Sequence, residues 1–162
     1  MTRRYPVLKK KVAERDSKIA KKLIQAWDQE HNSEKVLHIY LKNKHLLSHY
    51  RYWELMRTVW IICGGVEESD VFRNLMKSKR PHRYYFSTPE ESKLLRELPS
   101  KVTVYRAQDG SIADGLSWTL SKDYAELYKE QFGKAYLFHR EVNRESIFAY
   151  INRNLEEEII IL

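Results

Sequence analysis

The chain has 162 residues, a length typical of one domain or of a small catalytic unit with a helical extension. Hydrophobic residues make up 43% and aromatic residues 12%, so the chain can bury a core and is not expected to be disordered. The single cysteine excludes an internal disulfide, and no segment approaches the roughly 18 apolar residues of a membrane span. These features favour a cytoplasmic protein with no membrane partner.

The net charge of +7 is unevenly distributed along the chain. Residues 1–100 hold 21 Lys and Arg against 12 Asp and Glu, whereas residues 101–162 hold 8 against 10. Residues 1–22 alone carry 9 basic and 2 acidic groups. Such a basic surface attracts nucleic-acid phosphates, acidic proteins or anionic lipids, but charge on a solvated helix also serves solubility alone. Both interpretations stay open at this point.

The first hundred residues are predicted to be helical. Apolar residues recur at helical spacing within residues 7–30, and Asn32 or Ser33 is a candidate N-cap for a second helix. A third helix is predicted over residues 45–62, with Gly64 in the left-handed conformation that ends it.

Two shorter helices and a loop complete this helical part. One helix is predicted from Ser69, and another begins at Thr88-Pro89. The basic loop between them is followed by three consecutive aromatic residues. Together with the basic amino-terminal segment, the loop is a candidate track for a nucleic-acid backbone with stacking platforms at Tyr84, Tyr85 and Phe86.

The pattern changes at Lys101, where β-branched and aromatic residues begin to alternate. A helix capped by Ser121 is predicted to run to about Phe132, with an apolar side formed by Tyr124, Leu127 and Tyr128. Strands are predicted over residues 102–106, 116–119, 135–142, 147–151 and 156–162. The sequence therefore predicts an α+β fold, with a basic helical region over 1–100 that packs on and completes a β-rich core over 101–162.

Three polar features interrupt the β-rich part. Arg106 ends a strand, Ser117 and Thr119 flank Trp118, and three glutamates precede four aliphatic residues. On a continuous strand, Glu156 and Glu158 would face the same side. Each feature alone has an ordinary explanation, namely a surface ion pair, common strand residues or a charged strand edge. Their order and spacing are more informative.

In that order, Tyr105-Arg106, Ser117-Trp118-Thr119 and Glu156-Glu157-Glu158-Ile159 resemble the three motifs of the arginine–serine–glutamate class of ADP-ribosyltransferases. The class includes bacterial toxins and phage enzymes, and its fold is a split β-sandwich. The resemblance covers the whole span from Val102 to Leu162. Two positions depart from the pattern, because Thr119 replaces the last serine and Ala107 stands where glycine is common.

The resemblance implies roles for the motif residues. Arg106, with Tyr105 beside it, would bind the pyrophosphate of NAD⁺ as a substrate, and Glu158 would stabilise the positive charge that develops on the nicotinamide ribose. Ser117 would hold Glu158, and Thr119 would support the ribose or the strand. The helix that follows offers two further cofactor-binding residues that could stack on nicotinamide, Tyr124 and Tyr128.

The resemblance also implies an acceptor site. Glu156 would receive or polarise the acceptor nucleophile, and the preceding turn, formed by Asn152, Arg153 and Asn154, would help to choose it. A glutamate in this position often goes with protein arginine as the acceptor, whereas the basic first half favours nucleic acid, with RNA before DNA. We therefore expect a mono-ADP-ribosyltransferase that modifies a macromolecule, as a bacterial or phage toxin or host modifier.

Other classes of function stay open. The chain could be a non-catalytic nucleic-acid-binding protein or an interaction protein, and a toxin would have an antitoxin partner. No metal cofactor is expected. His45 and His49 are four residues apart on the predicted third helix, a spacing that suits zinc, but the sequence offers no third ligand.

Overall fold

The computed structural model describes residues 6–64, 69–153 and 156–162. Two compact units make up the chain, residues 1–88 and residues 89–162. The described residues contain six α-helices and one five-stranded antiparallel sheet. The prediction of a chain of mixed helix and sheet is therefore confirmed. The two units divide earlier than the predicted boundary at residue 100, so that the helix beginning at Pro89 belongs with the sheet.

The first unit contains four α-helices, α1 Lys10–Glu30, α2 Ser33–Asn43, α3 His49–Cys63 and α4 Ser69–Met76. Asn32 caps α2, since its side-chain oxygen accepts from the Lys35 amide at 2.9 Å, and α3 ends at Gly64 with φ of 68°. The core of this unit is rich in aromatic residues, as its helical stripes predict, and its largest fully buried side chains are Trp53, Trp60, Tyr40 and Phe72.

A buried carboxylate supports the start of α3. Asp16 on α1 is only 1% exposed, and both the amide and the hydroxyl of Ser48, the residue before α3, donate to it. The amide of Ser48 lies 3.2 Å from Asp16 Oδ1. A side chain from one helix thus caps another, which local sequence does not reveal.

Two expectations about the first unit are wrong. His45 lies in a short 3₁₀ helix, Lys44–Leu46, and His49 begins α3, so the two are not four apart on one helix. Tyr85 and Phe86 are buried in a second 3₁₀ helix, Arg83–Phe86, and only Tyr84 of the three proposed stacking residues is exposed. The second 3₁₀ helix packs against α3, and this packing buries the two aromatic side chains instead of leaving them exposed.

The second unit contains helix α5 Pro89–Glu97, helix α6 Lys122–Gln131 and five strands. The strands are β1 Lys101–Gln108, β2 Ser117–Thr119, β3 Tyr136–Asn143, β4 Ile147–Ile151 and β5 Glu158–Ile161. Their order across the sheet is β3-β1-β2-β5-β4, and every neighbouring pair is antiparallel. The described strands thus form one sheet rather than two facing layers.

The sheet narrows in its middle. Strands β1 and β3 pair along their full length, and β2, β5 and β4 pair with several registered residues each. Strands β1 and β2, however, share one registered pair, Tyr105 with Thr119. We call this junction the seam. It divides the sheet into a β3–β1 part and a β2–β5–β4 part.

One face of the sheet forms the core of the second unit. Val104, Trp118, Tyr150 and Ile159 are buried there, and the Arg140 guanidinium lies 4.2 Å from the centre of the Trp118 ring system. Alternate residues point to the opposite face, which carries Ser117, Thr119 and Glu158. Trp118 therefore packs in the core, away from both hydroxyls.

The helix α6 departs from its predicted packing. Ser121 caps it as expected, accepting from the Tyr124 amide at 3.1 Å. Ala125 is its buried residue, whereas Leu127, placed on the apolar side by the sequence, is 59% exposed. The apolar side that the sequence predicted for α6 is therefore only partly buried.

Candidate functional site

Glu158 is the first residue of β5, which lies between β2 and β4 in the sheet, and it is 6% exposed. Thr119 lies directly opposite on β2, and Ser117 lies diagonally across on the same face. The Ser117 hydroxyl donates to Glu158 Oε1 at 2.6 Å, a length typical of a hydrogen bond to a charged acceptor. This bond fixes the glutamate side chain beside β2.

Arg106 lies at the seam. Its Nε donates to Gln108 Oε1 at 2.6 Å, and its Nη1 donates to the Ser117 carbonyl at 2.5 Å. Burial lowers the pKa of Arg106, while the nearby charges of Asp114 and Glu158 oppose that shift. A guanidinium titrates far above neutral pH, so Arg106 stays charged where it contacts Gln108 and the Ser117 carbonyl.

A glycine makes room for the guanidinium of Arg106. A Cβ atom on Gly115 would overlap the Arg106 side chain well inside van der Waals contact. Gln108, which orients Arg106, also donates to the carbonyl of Ile112 and, at 3.1 Å, to that of Gly110. The loop after β1 is thus organised around Arg106.

Thr119 has a structural role. Its hydroxyl donates to the carbonyl of Glu156 at 2.5 Å and accepts from the Ser121 amide at 3.0 Å. The side chain therefore joins the end of β2, the start of α6 and the residues before β5. The resemblance allows Thr119 to support either the ribose or the strand, and these contacts are of the second kind.

Tyr105 and Glu158 belong to one row of residues across the sheet. Tyr105 is registered with Thr119, which is registered with Glu158, so the three side chains share a face. Tyr105 is also opposite His139 on β3, with ring centres 6.3 Å apart. The structure thus brings Tyr105, Ser117, Thr119 and Glu158 to one face. Arg106 alternates to the other face of β1, and its guanidinium reaches the backbone carbonyl of Ser117.

The prediction that the last strand begins at Glu156 is wrong. Glu157 has a left-handed backbone with φ of 43°, and β5 begins only at Glu158. Alternation therefore does not extend to Glu156, whose carboxylate lies 3.1 Å from Arg153 Nε. Glu156 belongs to the turn before β5, as Arg153 does.

Tyr124 connects this turn to α6. Burial, the charge of Glu156 and a hydrogen bond to Glu156 raise the pKa of Tyr124 to about 12. Tyr124, Tyr128 and Phe132 follow each other along α6, with ring centres 6.3 Å and then 4.5 Å apart. Stacking of nicotinamide on Tyr124 and Tyr128 stays a prediction.

The turn before β5 is held by a residue that the site prediction missed. The buried carboxylate of Glu91 on α5 accepts from the amide of Asn152 at 3.1 Å, and the Glu156 amide donates to the Arg153 carbonyl at 2.8 Å. Asn154, the third predicted acceptor residue of the turn, lies outside the described residues. Glu91 lies in the first turn of α5, where a carboxylate is common, so only its burial and its bond to Asn152 reveal its role in the turn.

Within the part of the chain that the structure describes, no group of three or more His, Cys, Asp or Glu side chains is placed to hold a metal ion. No described helix is long and apolar enough to cross a membrane. No protein-family model, no curated protein and no solved structure matches this chain. The chemistry of the site therefore has to be inferred from its own residues: a fixed cation, a buried carboxylate held by a hydroxyl, and a second carboxylate in an adjacent turn.

Proposed function

We propose that this protein is a mono-ADP-ribosyltransferase, which transfers ADP-ribose from NAD⁺ to a macromolecular acceptor. The observation that carries the proposal is the 2.6 Å hydrogen bond from Ser117 to buried Glu158, together with the bond that the Arg106 guanidinium donates to the Ser117 carbonyl. These are the arginine, serine and second glutamate of the three motifs. They are far apart in sequence and meet around the middle of the sheet.

The donor set suits NAD⁺, whose pyrophosphate is anionic and whose nicotinamide is a cationic leaving group. Gln108 and Ser117 engage Nε and Nη1 of Arg106, and further N–H groups of the guanidinium can bind phosphate oxygens. Because Gln108, Ser117 and Gly115 fix the guanidinium in advance, little side-chain entropy is lost when an anion binds.

Glu158 has the features of an electrostatic catalyst. It is buried, so its charge acts in a medium of low dielectric, and Ser117 holds it in one orientation. A carboxylate so placed stabilises positive charge that develops on the ribose as the bond to nicotinamide breaks. Ser117 is a positioning residue in this scheme, and Thr119 fixes the adjoining turn.

The sheet topology bears on the fold that the proposal implies. The seam leaves β3–β1 and β2–β5–β4 as two separately paired parts of one sheet. The split β-sandwich of ADP-ribosyltransferases has two layers, so the proposal requires a variant of that fold in which the two parts stay joined at the seam. Arg106 comes from one part, whereas Ser117 and Glu158 come from the other. A toxin or host modifier of bacterial or phage origin, with an antitoxin partner in the first case, stays part of this proposal.

A second candidate has an observation in its favour. Glu156 forms a 3.1 Å ion pair with the guanidinium of Arg153, so the turn already accommodates a guanidinium. An arginine side chain of a target protein could replace Arg153 there, which would make protein arginine the acceptor. A non-catalytic binding protein is the remaining alternative, and it has no use for a buried serine–glutamate pair.

The test is incubation of the purified protein with biotinylated NAD⁺ and a bacterial lysate. We expect labelling by the wild-type protein and a loss of about 100-fold or more in Glu158→Gln, because the amide cannot stabilise positive charge. Glu157→Gln is the matched control, since it removes the same charge from the neighbouring residue and should keep its activity.

The result also identifies the acceptor. Label that nuclease removes indicates nucleic acid, and label that only protease removes indicates protein. If the wild-type protein neither transfers label nor releases nicotinamide, the enzyme proposal is wrong. Equal losses in Glu158→Gln and Glu157→Gln would also contradict it, because they would assign no special role to Glu158.

A further inference from the structure

Helix α1 carries four basic side chains in a line. Lys11, Arg15, Lys18 and Lys22 are spaced by four, three and four residues, so they share one face of the helix. All four are exposed. We call them the basic stripe. At 1.5 Å per residue, the stripe is roughly 16 Å long.

The stripe is not neutralised by neighbouring acids. Within the described residues, none of its four members takes part in an ion pair. Of the acids of α1, Asp16 is buried against Ser48, Glu30 pairs with Lys35, and Asp28 lies beyond the end of the stripe. Exposed Glu14 lies beside the stripe, four residues before Lys18, and among the described residues it forms no ion pair with any of the four, so one acid stands against four cations. A concentrated positive field therefore faces solvent.

This arrangement lowers the stability of the helix. Exposed residues four apart on the other unit's helices form opposite pairs, Lys93 with Glu97 and Lys122 with Glu126. On α1 the same spacing joins Lys11 to Arg15 and Lys18 to Lys22, whose like charges repel. It also joins Glu14 to Lys18, but in the part of the chain that the structure describes these two form no ion pair. The first turn of α1 also contains no acid to balance the positive end of the helix dipole. Solubility alone does not require such an unfavourable line of charge.

We infer that the basic stripe binds the phosphate backbone of a nucleic acid. A duplex presents one negative charge about every 1.7 Å along its axis, so a line of four cations meets several phosphates at once. A membrane surface is a poorer match, because an interfacial helix inserts its apolar face, whereas Ile19, Leu23 and Ala26 of α1 are buried in their own unit.

The inference deepens the proposed function. It rests on that function only for the claim that the bound nucleic acid is the acceptor of ADP-ribose. Binding by the stripe needs no NAD⁺ and stands alone. If the protein is a transferase, a bound nucleic acid is delivered as its acceptor. RNA and DNA share the phosphodiester backbone, so both are used as probes.

The experiment measures binding of the full chain to fluorescent RNA and DNA duplexes of 20 base pairs, without NAD⁺, over a range of salt concentrations. One variant changes all four stripe residues to glutamine. The matched control changes Lys93, Lys101, Lys122 and Lys134, which are all in ion pairs, to glutamine. Each variant loses four positive charges, so the two have the same net charge. Circular dichroism checks that both are folded.

We expect the stripe variant to bind at least tenfold more weakly and its plot of log affinity against log salt to flatten by roughly 3 to 4, since each lost phosphate contact contributes about 0.9. The control should stay close to wild type. Equal weakening of both variants, absence of salt-dependent binding by the wild type, or tighter binding to phosphatidylserine vesicles than to either duplex would overturn the inference.

The delivery of an acceptor is tested separately. In the stripe variant, transfer of label to nucleic acid should fall while release of nicotinamide without acceptor is unchanged. Unchanged transfer would overturn the link to the acceptor and leave the transferase proposal intact. If the wild-type protein releases no nicotinamide, the transferase proposal is rejected, and the binding result is unaffected.

Discussion

The two units bury carboxylates in different surroundings. In the helical unit, Asp16 accepts from both the amide and the hydroxyl of Ser48 and thereby caps α3. In the sheet unit, Glu158 accepts from the Ser117 hydroxyl within electrostatic reach of Arg106. The first carboxylate completes a helix end that would otherwise lack partners. The second is held by a hydroxyl from the neighbouring strand, and a buried carboxylate near the strand that carries Arg106 is the arrangement on which the proposed chemistry rests.

The largest expected effect comes from removing the carboxylate of the helical unit. Asp16→Ala should lower the free energy of unfolding by about 2 to 3 kcal/mol, because the Ser48 donors lose a charged acceptor in a buried place. Asp16→Asn, which keeps one acceptor oxygen, should lose less. Glu158→Gln is the counterpart in the sheet unit, and it should change stability little while activity is lost. Urea denaturation of the three variants measures the difference, and a loss in Glu158→Gln as large as in Asp16→Ala would contradict the contrast.

A smaller effect is expected at the loop around Arg106. Gly115→Ala should cost about 1 to 2 kcal/mol and reduce nicotinamide release, because the new methyl group displaces the guanidinium. Gly110→Ala is the matched control, since its Cβ would meet Gln108 at 3.5 Å, an ordinary contact. Thermal unfolding and a nicotinamide assay compare the two. Similar behaviour of both variants would mean that the loop does not fix Arg106.

The smallest effect concerns Tyr124 at alkaline pH. Its pKa is raised to about 12 in the folded protein, so between pH 10 and pH 12 the unfolded chain loses a proton that the folded chain keeps. Stability contributed by Tyr124 is thus present below pH 10 and lost as the pH rises to 12. The free energy of unfolding of Tyr124→Phe should therefore fall less steeply over this range than that of the wild type. Identical slopes would show that Glu156 and burial do not hold the Tyr124 proton.

Local signals predicted most of the fold. Asn32, Ser121 and Gly64 act where the sequence places them, because caps and stops depend on a few neighbouring residues. The strands were predicted to within a few residues for the same reason. The exposure of Leu127 and the burial of Tyr85 were not foreseen, because each depends on what a neighbouring element covers.

The site was predicted in part. The order of the motifs correctly indicated that Ser117 and Glu158 are adjacent, because a strand register links them. The inclusion of Glu156 in the last strand was wrong, because Glu157 has a left-handed backbone and β5 begins only at Glu158. A glutamate in the sequence gives no sign of that conformation. Two supporting residues were missed. Gln108 accepts from the side chain of Arg106, two residues before it on β1, and Glu91 accepts from the Asn152 amide, 61 positions away.

The seam has a mechanical consequence. One registered residue pair and the bond from Arg106 to the Ser117 carbonyl join the strands on its two sides, so a modest distortion can separate them. A ligand that touches both Arg106 and Glu158 would clamp the two sides together. Binding of such a ligand would therefore slow hydrogen exchange of the backbone amides along β1 and β2. The exchange rate of these amides would report whether the site is occupied.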